Sequence, residues 1–133
     1  MEQFNYRVLF DPYTERHYVK KFRKEYKDKW SATERTLITV CERIDNMLKY
    51  NRADLISATG RHKLIKLDFA VEGTHMSPKA SGNRCILLVD EDIRVVRVLL
   101  VYSKDEISPP NETQKWKTVI KDAYGDVAEL FGW

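Results

Sequence analysis

Two cations flank a strongly apolar stretch in the second half of the chain. Arg84 opens the first of two apolar runs and Lys104 closes the second, within the segment NRCILLVDEDIRVVRVLLVYSK. If the two runs pair as an antiparallel hairpin, both cations come to the end away from the turn, near Tyr102. Fixed positive charges beside a covered sheet favour the binding of an anion. The alternative, which geometry alone favours, is that both long side chains extend from the sheet margin into water.

The register and the faces of this hairpin are predicted from its turn. A four-residue turn at 90–93 places Val89 opposite Arg94 and brings Arg84 near Leu99. Strict alternation then puts every second residue of the second run on one face. Those residues are Arg94, Val96, Val98, Leu100, Tyr102 and Lys104. Both faces are mostly apolar, so we expect helices to cover one face and something else to cover part of the other.

The first half of the chain is predicted to supply one strand and two helices. Residues 4–10 alternate between apolar and polar and predict a strand, and apolar residues at helical spacing predict a helix over 14–27. A capping box formed by Ser31 and Glu34 predicts the start of a second helix, which extends to residue 48. Residues 51–60 are predicted to be a connector.

The second half changes to the two-residue period of strands. Strands are predicted over residues 63–69, 84–89 and 94–104, with an exposed loop between residues 71 and 82. A last helix begins near Asn111. We predict an α+β fold in a single domain, residues 1–133. Its small antiparallel twisted sheet has two N-terminal helices packed on one face and a C-terminal helix.

Composition excludes several classes of protein. With 43% hydrophobic and 32% charged residues, the chain is predicted to fold rather than to remain disordered. No apolar run approaches the roughly 20 residues of a membrane span, and the N-terminus lacks a signal-peptide pattern, so we expect a cytoplasmic protein with no membrane partner. Cys41 and Cys85 are expected to be reduced core thiols. Scattered histidines and missing nucleotide-binding motifs predict neither a metal nor a cofactor.

Four segments, which together span nearly the whole chain, resemble one protein family. They are the basic helix HYVKKFRKEYK, the strand KLIKLDF, the hairpin NRCILLVDEDIRVVRVLLVYSK and the tail NETQKWKTVIKDAY. They resemble toxins of the RelE/ParE superfamily from bacterial type II toxin–antitoxin systems. The resemblance implies a RelE-like fold and a cognate antitoxin as partner. In the RNA-cleaving branch it also implies binding to the ribosome and cleavage of mRNA there, whereas other members poison DNA gyrase.

RNA cleavage without a metal makes three demands on a protein. One group takes the proton of the ribose 2′-hydroxyl, a second protonates the leaving 5′-oxygen, and cations stabilise the extra charge of the transition state. The resemblance implies that lysine and arginine meet these demands. A lysine acts as a base only if its pKa falls well below about 10.4, and neighbouring cations lower that pKa.

The resemblance assigns catalytic roles to Lys66, Arg84 and Lys104. It implies that Lys66 is the base, that Arg84 binds phosphate, and that Lys104, where the family has an arginine, is the acid or the charge stabiliser. Leu64 stands where the family has a second lysine. Candidates for binding RNA or phosphate lie near these residues: His62, Lys63, His75, Lys79 and Tyr102. Either histidine is an alternative carrier of protons, because histidine titrates near neutrality.

Other functions remain open from the sequence. One is a non-catalytic toxin or binding module that acts on a protein such as DNA gyrase, and another is a general RNA-binding domain. The net charge of +3 is compatible with an RNA partner, and seven Lys/Arg stand against three Asp/Glu between residues 13 and 30, although such a face is usually only solvated. The apolar hairpin, Trp116 and residues 131–133 suggest that another chain, the antitoxin, covers part of the surface.

Overall fold

The computed structural model describes residues 5–133, which fold around a five-stranded sheet. The strands are β1 Arg7–Phe10, β2 Asp54–Thr59, β3 His62–Phe69, β4 Asn83–Asp90 and β5 Val95–Tyr102. Their spatial order is β1-β5-β4-β3-β2, and β2 to β5 form an antiparallel meander. The α+β class predicted from the change of period near residue 60 is therefore confirmed.

The sheet is mixed rather than purely antiparallel. β1 pairs in parallel with β5, with Arg7 opposite Val95 and Phe10 opposite Val98. Two parallel neighbours need a long crossover between them, and here the N-terminal helices and the rest of the meander provide it. The predicted first strand began at residue 4, which lies outside the described residues.

The predicted connector at 51–60 is wrong over most of its length, because it contains strand β2. β2 is an edge strand with no fully buried residue, so its sequence lacks the alternation that marks a half-buried strand. Only Gly60 and Arg61 separate it from β3, and Gly60 has the positive φ of +54° that a tight turn requires. Pairing with β3, which a local pattern does not reveal, is what makes these residues extended.

Helical segments precede the meander and follow it. The first helical stretch has three contiguous parts, α1 Pro12–Thr14, a π-helical segment Glu15–Val19 and α2 Lys20–Tyr26. The remaining helices are α3 Asp28–Glu42, α4 Ile44–Lys49, α5 Pro78–Ser81, α6 Glu112–Ala123 and α7 Gly125–Leu130. The capping box predicted at Ser31 is wrong, because α3 already begins at Asp28, one turn earlier. That earlier start places Trp30 in the helix, where its side chain is fully buried.

One face of the sheet packs against α2, α3 and α4 in what we call the first cluster. The helices contribute Phe22, Trp30, Leu37, Cys41 and Ile44. The strands contribute Ile65, Leu67, Phe69, Cys85, Leu87, Val89, Val96, Val98 and Val101. Both cysteines are free and buried here, and burial raises the pKa of the Cys41 thiol to about 12, so they are unreactive core residues.

The opposite face packs against α6 and α7 in what we call the second cluster. Its members are Leu64, Ile86, Leu88, Leu99, Leu100, Tyr102, Ile107, Trp116, Ile120, Tyr124 and Val127. Phe131 and Trp133 pack against its margin. The chain itself therefore covers Trp116, which the sequence suggested another protein would cover. Among residues 5–133, no helix is both long enough and apolar enough to cross a membrane.

Candidate functional site

The turn between β4 and β5 sets which side chains meet at the far end of the hairpin. Asp90 pairs with Val95, so the turn comprises the four residues 91–94 and not 90–93. The Asp90 carboxylate accepts hydrogen bonds from the backbone N–H groups of Asp92 and Ile93, at 3.0 and 3.3 Å, which holds the turn in this frame. The predicted pairing of Val89 with Arg94 is therefore wrong, since Arg94 belongs to the turn with a φ of +55°.

A β-bulge then moves Tyr102 to the position opposite Arg84. Leu87 pairs with Val98 but Ile86 pairs with Leu100, which leaves Leu99 as the extra residue. The predicted single face running from Arg94 to Lys104 is wrong for this reason, because the bulge interrupts the alternation. Val98 faces the first cluster, whereas Leu100 and Tyr102 face the second. Arg84, predicted near Leu99, lies opposite Tyr102 instead.

Lys66, Arg84 and Tyr102 lie on the same face of the sheet, toward α6. In β3 the residues alternate, so Leu64 of the second cluster, Lys66 and Asp68 share this face. Lys66 pairs with Ile86 and Asp68 pairs with Arg84. Lys66 is thus the diagonal neighbour of Arg84, close enough for both to contact one ligand of phosphate size.

The guanidinium of Arg84 is held by the protein on nearly every side. Its Nε lies 3.0 Å from Asp68 Oδ1 and 3.9 Å from Glu112 Oε2. Its two terminal nitrogens donate to three backbone carbonyl oxygens at 2.9 to 3.3 Å: Pro78, Lys79 and Asn83. These contacts occupy four of the five N–H donors of an arginine. Arg84 thus ties α5 to the start of β4, and two carboxylates lie next to its positive charge.

Tyr102 is a hydrogen-bond donor in this site and not a base. Its hydroxyl donates to Glu112 Oε2 at 2.6 Å. Burial, and then the hydrogen bond to Glu112 and the charge of that carboxylate, raise the pKa of Tyr102 well above its usual value. The phenol therefore stays protonated at physiological pH. Through this bond, Glu112 in the first turn of α6 is tied to β5, next to the ion pair of Arg84 and Asp68.

Lys66 differs from Arg84 in its surroundings. It is half-buried, and no carboxylate of residues 5–133 lies within ion-pair distance of its ammonium group. It pairs across the sheet with Ile86 on one side and with Asp54 of the edge strand on the other.

Lys104 lies in a separate cleft on the α2 side. The cleft has a volume of about 280 Å³ and is lined by Phe22 and Tyr26 of α2 together with Lys104. The stem of Lys104 crosses Gly82, where a Cβ would lie 2.7 Å from the Cβ of Lys104 and where φ is +77°. Glycine is therefore required at position 82. The structure brings Lys66, Arg84 and Tyr102 together, and it does not bring Lys104 to their face.

The other predicted site residues are dispersed. His62 lies at the opposite end of β3, where its Nε2 is 3.3 Å from Asp90 Oδ2. Lys63 points to the other face and forms an ion pair of 2.8 Å with Glu91. His75 is exposed in the loop before α5, and Lys79 is exposed in α5, a short helix within the segment 71–82 that was predicted to be a loop. Of these four, only Lys79 touches the Arg84 group, through its backbone oxygen.

Two carboxylates of the site were missed by sequence reasoning. The sequence could have identified Asp68, because the segment KLIKLDF places Asp68 two residues after Lys66 and hence on the same face. The sequence could not have identified Glu112, because the position of Glu112 depends on how α6 packs against the sheet. Within residues 5–133 there is no group of three or more His, Cys, Asp or Glu side chains placed to hold a metal ion.

Comparison with known proteins gives one informative match. No family model matches the sequence, and no curated protein matches it. Among solved structures, the chain is similar to RelE in the archaeal RelE–RelB complex from Pyrococcus horikoshii OT3, with a TM-score of 0.51 and 15% identity. The match covers 76% of this chain and 97% of the other. At this identity the likeness shows the fold alone, and the fold is RelE-like.

Proposed function

We propose that this chain is the toxin of a bacterial type II toxin–antitoxin pair and that it inhibits translation. The observation that carries the proposal is the RelE-like fold, which matches 97% of a RelE that was solved together with RelB. The expected partner is a cognate antitoxin, whose binding silences the toxin. The resemblance of the four sequence segments supports the same function independently of the coordinates.

The proposed activity is cleavage of mRNA on the ribosome without a metal or cofactor. Lys66 and Arg84 lie on one face, and the contacts of Arg84 with the Asp68 and Glu112 carboxylates support the binding of an oxyanion at this arginine. In the proposed complex, a substrate phosphate replaces one of these carboxylates at Arg84, and Lys66 accepts the 2′-hydroxyl proton. The 2′-oxygen then bonds to phosphorus as the bond between phosphorus and the 5′-oxygen breaks, and the leaving 5′-oxygen takes a proton from the Tyr102 hydroxyl next to Arg84. Lys104 contributes positive charge from the neighbouring cleft, as a binding residue for the RNA strand.

A second candidate function is favoured by one feature of the same group. Four of the five donors of Arg84 are already engaged and Glu112 holds Tyr102, so the site as folded offers little room for phosphate. This arrangement favours a toxin that acts by binding a protein target, such as DNA gyrase, without catalysis. The two candidates differ in whether RNA is cut.

Brief induction of the chain in a bacterial host tests both candidates. We expect growth arrest, relief of the arrest by co-expression of the short neighbouring reading frame, and recovery of the two proteins as one complex. Mapping RNA 5′ ends within minutes of induction separates the nuclease from the binder, because only the nuclease creates new ends in translated mRNA. A chain that is harmless alone and does not bind its neighbour is not such a toxin.

Exchanging Lys66 for alanine tests its role as the base. We expect cleavage to fall by about 10²- to 10⁴-fold, the usual contribution of a general base, while ribosome binding is largely kept. Cleavage of mRNA on purified ribosomes and co-sedimentation with them are measured on the same variant. Equal losses in both measurements would show that Lys66 only holds phosphate.

A further inference from the structure

A row of exposed cations runs along the first helical stretch, away from the site described above. Arg16, Lys20, Lys24 and Lys27 are all exposed and follow one another at intervals of three or four residues. None of the four has a carboxylate within ion-pair distance in the part of the chain that the structure describes. Two other cations of the same stretch do form ion pairs, Lys21 with Glu106 and Arg23 with Glu15. We call these four residues the cationic stripe.

The cationic stripe lies on the side of the helix opposite to its buried residues. Residues four apart stack on one helix face, so Arg16, Lys20 and Lys24 form a line about 12 Å long. Lys27 follows at the turn that ends α2, where its φ is +49°. The buried residues Val19 and Phe22 point to the core. The positive charge of the stripe is therefore presented to solvent along one side of the helical stretch.

The composition of this face favours a nucleic acid over a protein as its partner. Protein interfaces need a buried centre of apolar or aromatic side chains. The stripe and the side chains between its members offer none, because the large apolar residues of this stretch are buried or half-buried against the core. A nucleic acid backbone needs no apolar anchor, since its affinity comes from phosphate charges met by lysine and arginine.

We propose that the cationic stripe docks onto the phosphate backbone of duplex RNA. The docking rests on the proposed function in one respect only: ribosomal RNA is the expected source of the duplex. The docking is independent of base sequence, because phosphate contacts position a protein without reading bases. It would hold the chain on its RNA while the Lys66 and Arg84 face meets the substrate strand.

The test compares two triple variants of equal charge. The stripe variant combines Arg16→Gln, Lys20→Gln and Lys24→Gln. The control variant combines Arg43→Gln, Arg52→Gln and Lys121→Gln, which are exposed cations on other parts of the surface. Each variant lowers the formal net charge from +3 to zero, so a loss seen in only one of them reflects position rather than total charge. Glutamine keeps the helix propensity of lysine and arginine.

The probe is a fluorescein-labelled 20-base-pair RNA duplex of arbitrary sequence, and binding is followed by anisotropy between 50 and 200 mM KCl. Each phosphate contact adds about one unit to the slope of log K against log salt. We expect the stripe variant to lose about three units of slope and at least about 10-fold in affinity at 100 mM KCl, and the control variant to keep both. Equal losses in the two variants, or no loss in the stripe variant, would overturn the proposal.

Two further arms identify the source of the phosphate. A DNA duplex of the same sequence and purified 70S ribosomes are tested with the same variants. A stripe-dependent loss on ribosomes and on duplex RNA supports the proposal, whereas a loss confined to DNA overturns it. An effect confined to antitoxin binding would assign the stripe to a protein partner and overturn it as well. If the wild-type chain arrests no growth but the RNA results hold, the proposed toxin function fails and the docking stripe stands.

Discussion

Arg84→Ala is expected to reduce mRNA cleavage on the ribosome by about 10²-fold or more, the loss seen when a positioned charge stabiliser is removed. Arg84 lies diagonally across from Lys66 and attracts two carboxylates, so it is the group best placed to hold a phosphate. Its planar donors match two phosphate oxygens, which a lysine does not reproduce, and Arg84→Lys is therefore expected to recover little activity.

The same substitution has a structural effect that must be measured alongside. Arg84 ties Asp68 to the carbonyl groups of Pro78 and Lys79 in α5, and because α5 is mostly exposed, water can replace most of the lost donors. We expect the free energy of unfolding to fall by only about 1 kcal/mol. Chemical denaturation followed by fluorescence checks this value. Full cleavage activity in a folded Arg84→Ala variant would remove this residue from the site.

Asp68→Asn is the matched control for Arg84. It keeps an oxygen acceptor at the same place but removes the negative charge that competes with phosphate. If Arg84 holds the substrate, Asp68→Asn should keep activity or raise it, because Arg84 is more available to the RNA. If the pair is purely structural, Asp68→Asn and Arg84→Ala should both leave cleavage unchanged. The opposite signs expected for the two substitutions separate catalysis from stability.

The central strands were predictable from sequence because their apolar runs are long and contain many β-branched residues, which favour strands over helices and loops. The sides on which their residues lie were only partly predictable. A regular alternation carries Asp68 and Arg84 to one face, but the extra residue Leu99 shifts everything after it, including Tyr102. A bulge arises from how two strands fit together, and the pattern of one strand does not record it.

The limits at the candidate site have the same physical origin. Lys104 follows β5 by two residues, and the direction it takes depends on packing against Gly82 and α2. Glu112 reaches Tyr102 only because α6 lies across the second cluster. Both are tertiary effects between segments that are distant or irregular in sequence. Local pattern identified the cations and could place Asp68 on their face, whereas Glu112 was identified only through the docking of α6.

The docking of α6 is expected to depend most on Trp116. Its side chain is fully buried in the second cluster, and its ring centroid lies 6.0 Å from that of Trp133. Trp116→Ala should lower the free energy of unfolding by about 3–5 kcal/mol, the usual cost of emptying an aromatic core position. That is a large share of the roughly 5–15 kcal/mol that stabilises a domain of this kind.

Trp116→Phe should cost far less, for a reason specific to this indole. Among the described residues, no acceptor lies within hydrogen-bond distance of the Trp116 Nε1–H, and an unsatisfied buried donor costs about 1–3 kcal/mol. Phenylalanine loses some packing but removes that donor, so the two effects partly cancel and a net loss below about 2 kcal/mol is expected. Urea denaturation of the two variants measures the difference. Equal destabilisation by alanine and phenylalanine would show that the N–H is satisfied and that our packing argument is wrong.

Hydrogen exchange on Trp116→Ala then shows how this anchor controls the site. Because Glu112 and Trp116 are on the same helix, loosening of α6 should release Glu112 from Tyr102 and uncover the face that carries Lys66 and Arg84. We expect amide protection to fall across Glu112–Ala123 before it falls in β3, β4 and β5. Trp133→Ala, at the half-buried margin of the same cluster, is the control and should leave the protection of α6 nearly intact. Uniform loss of protection in the sheet and in α6 would mean that the helix does not open separately and that Glu112 cannot leave the site on its own.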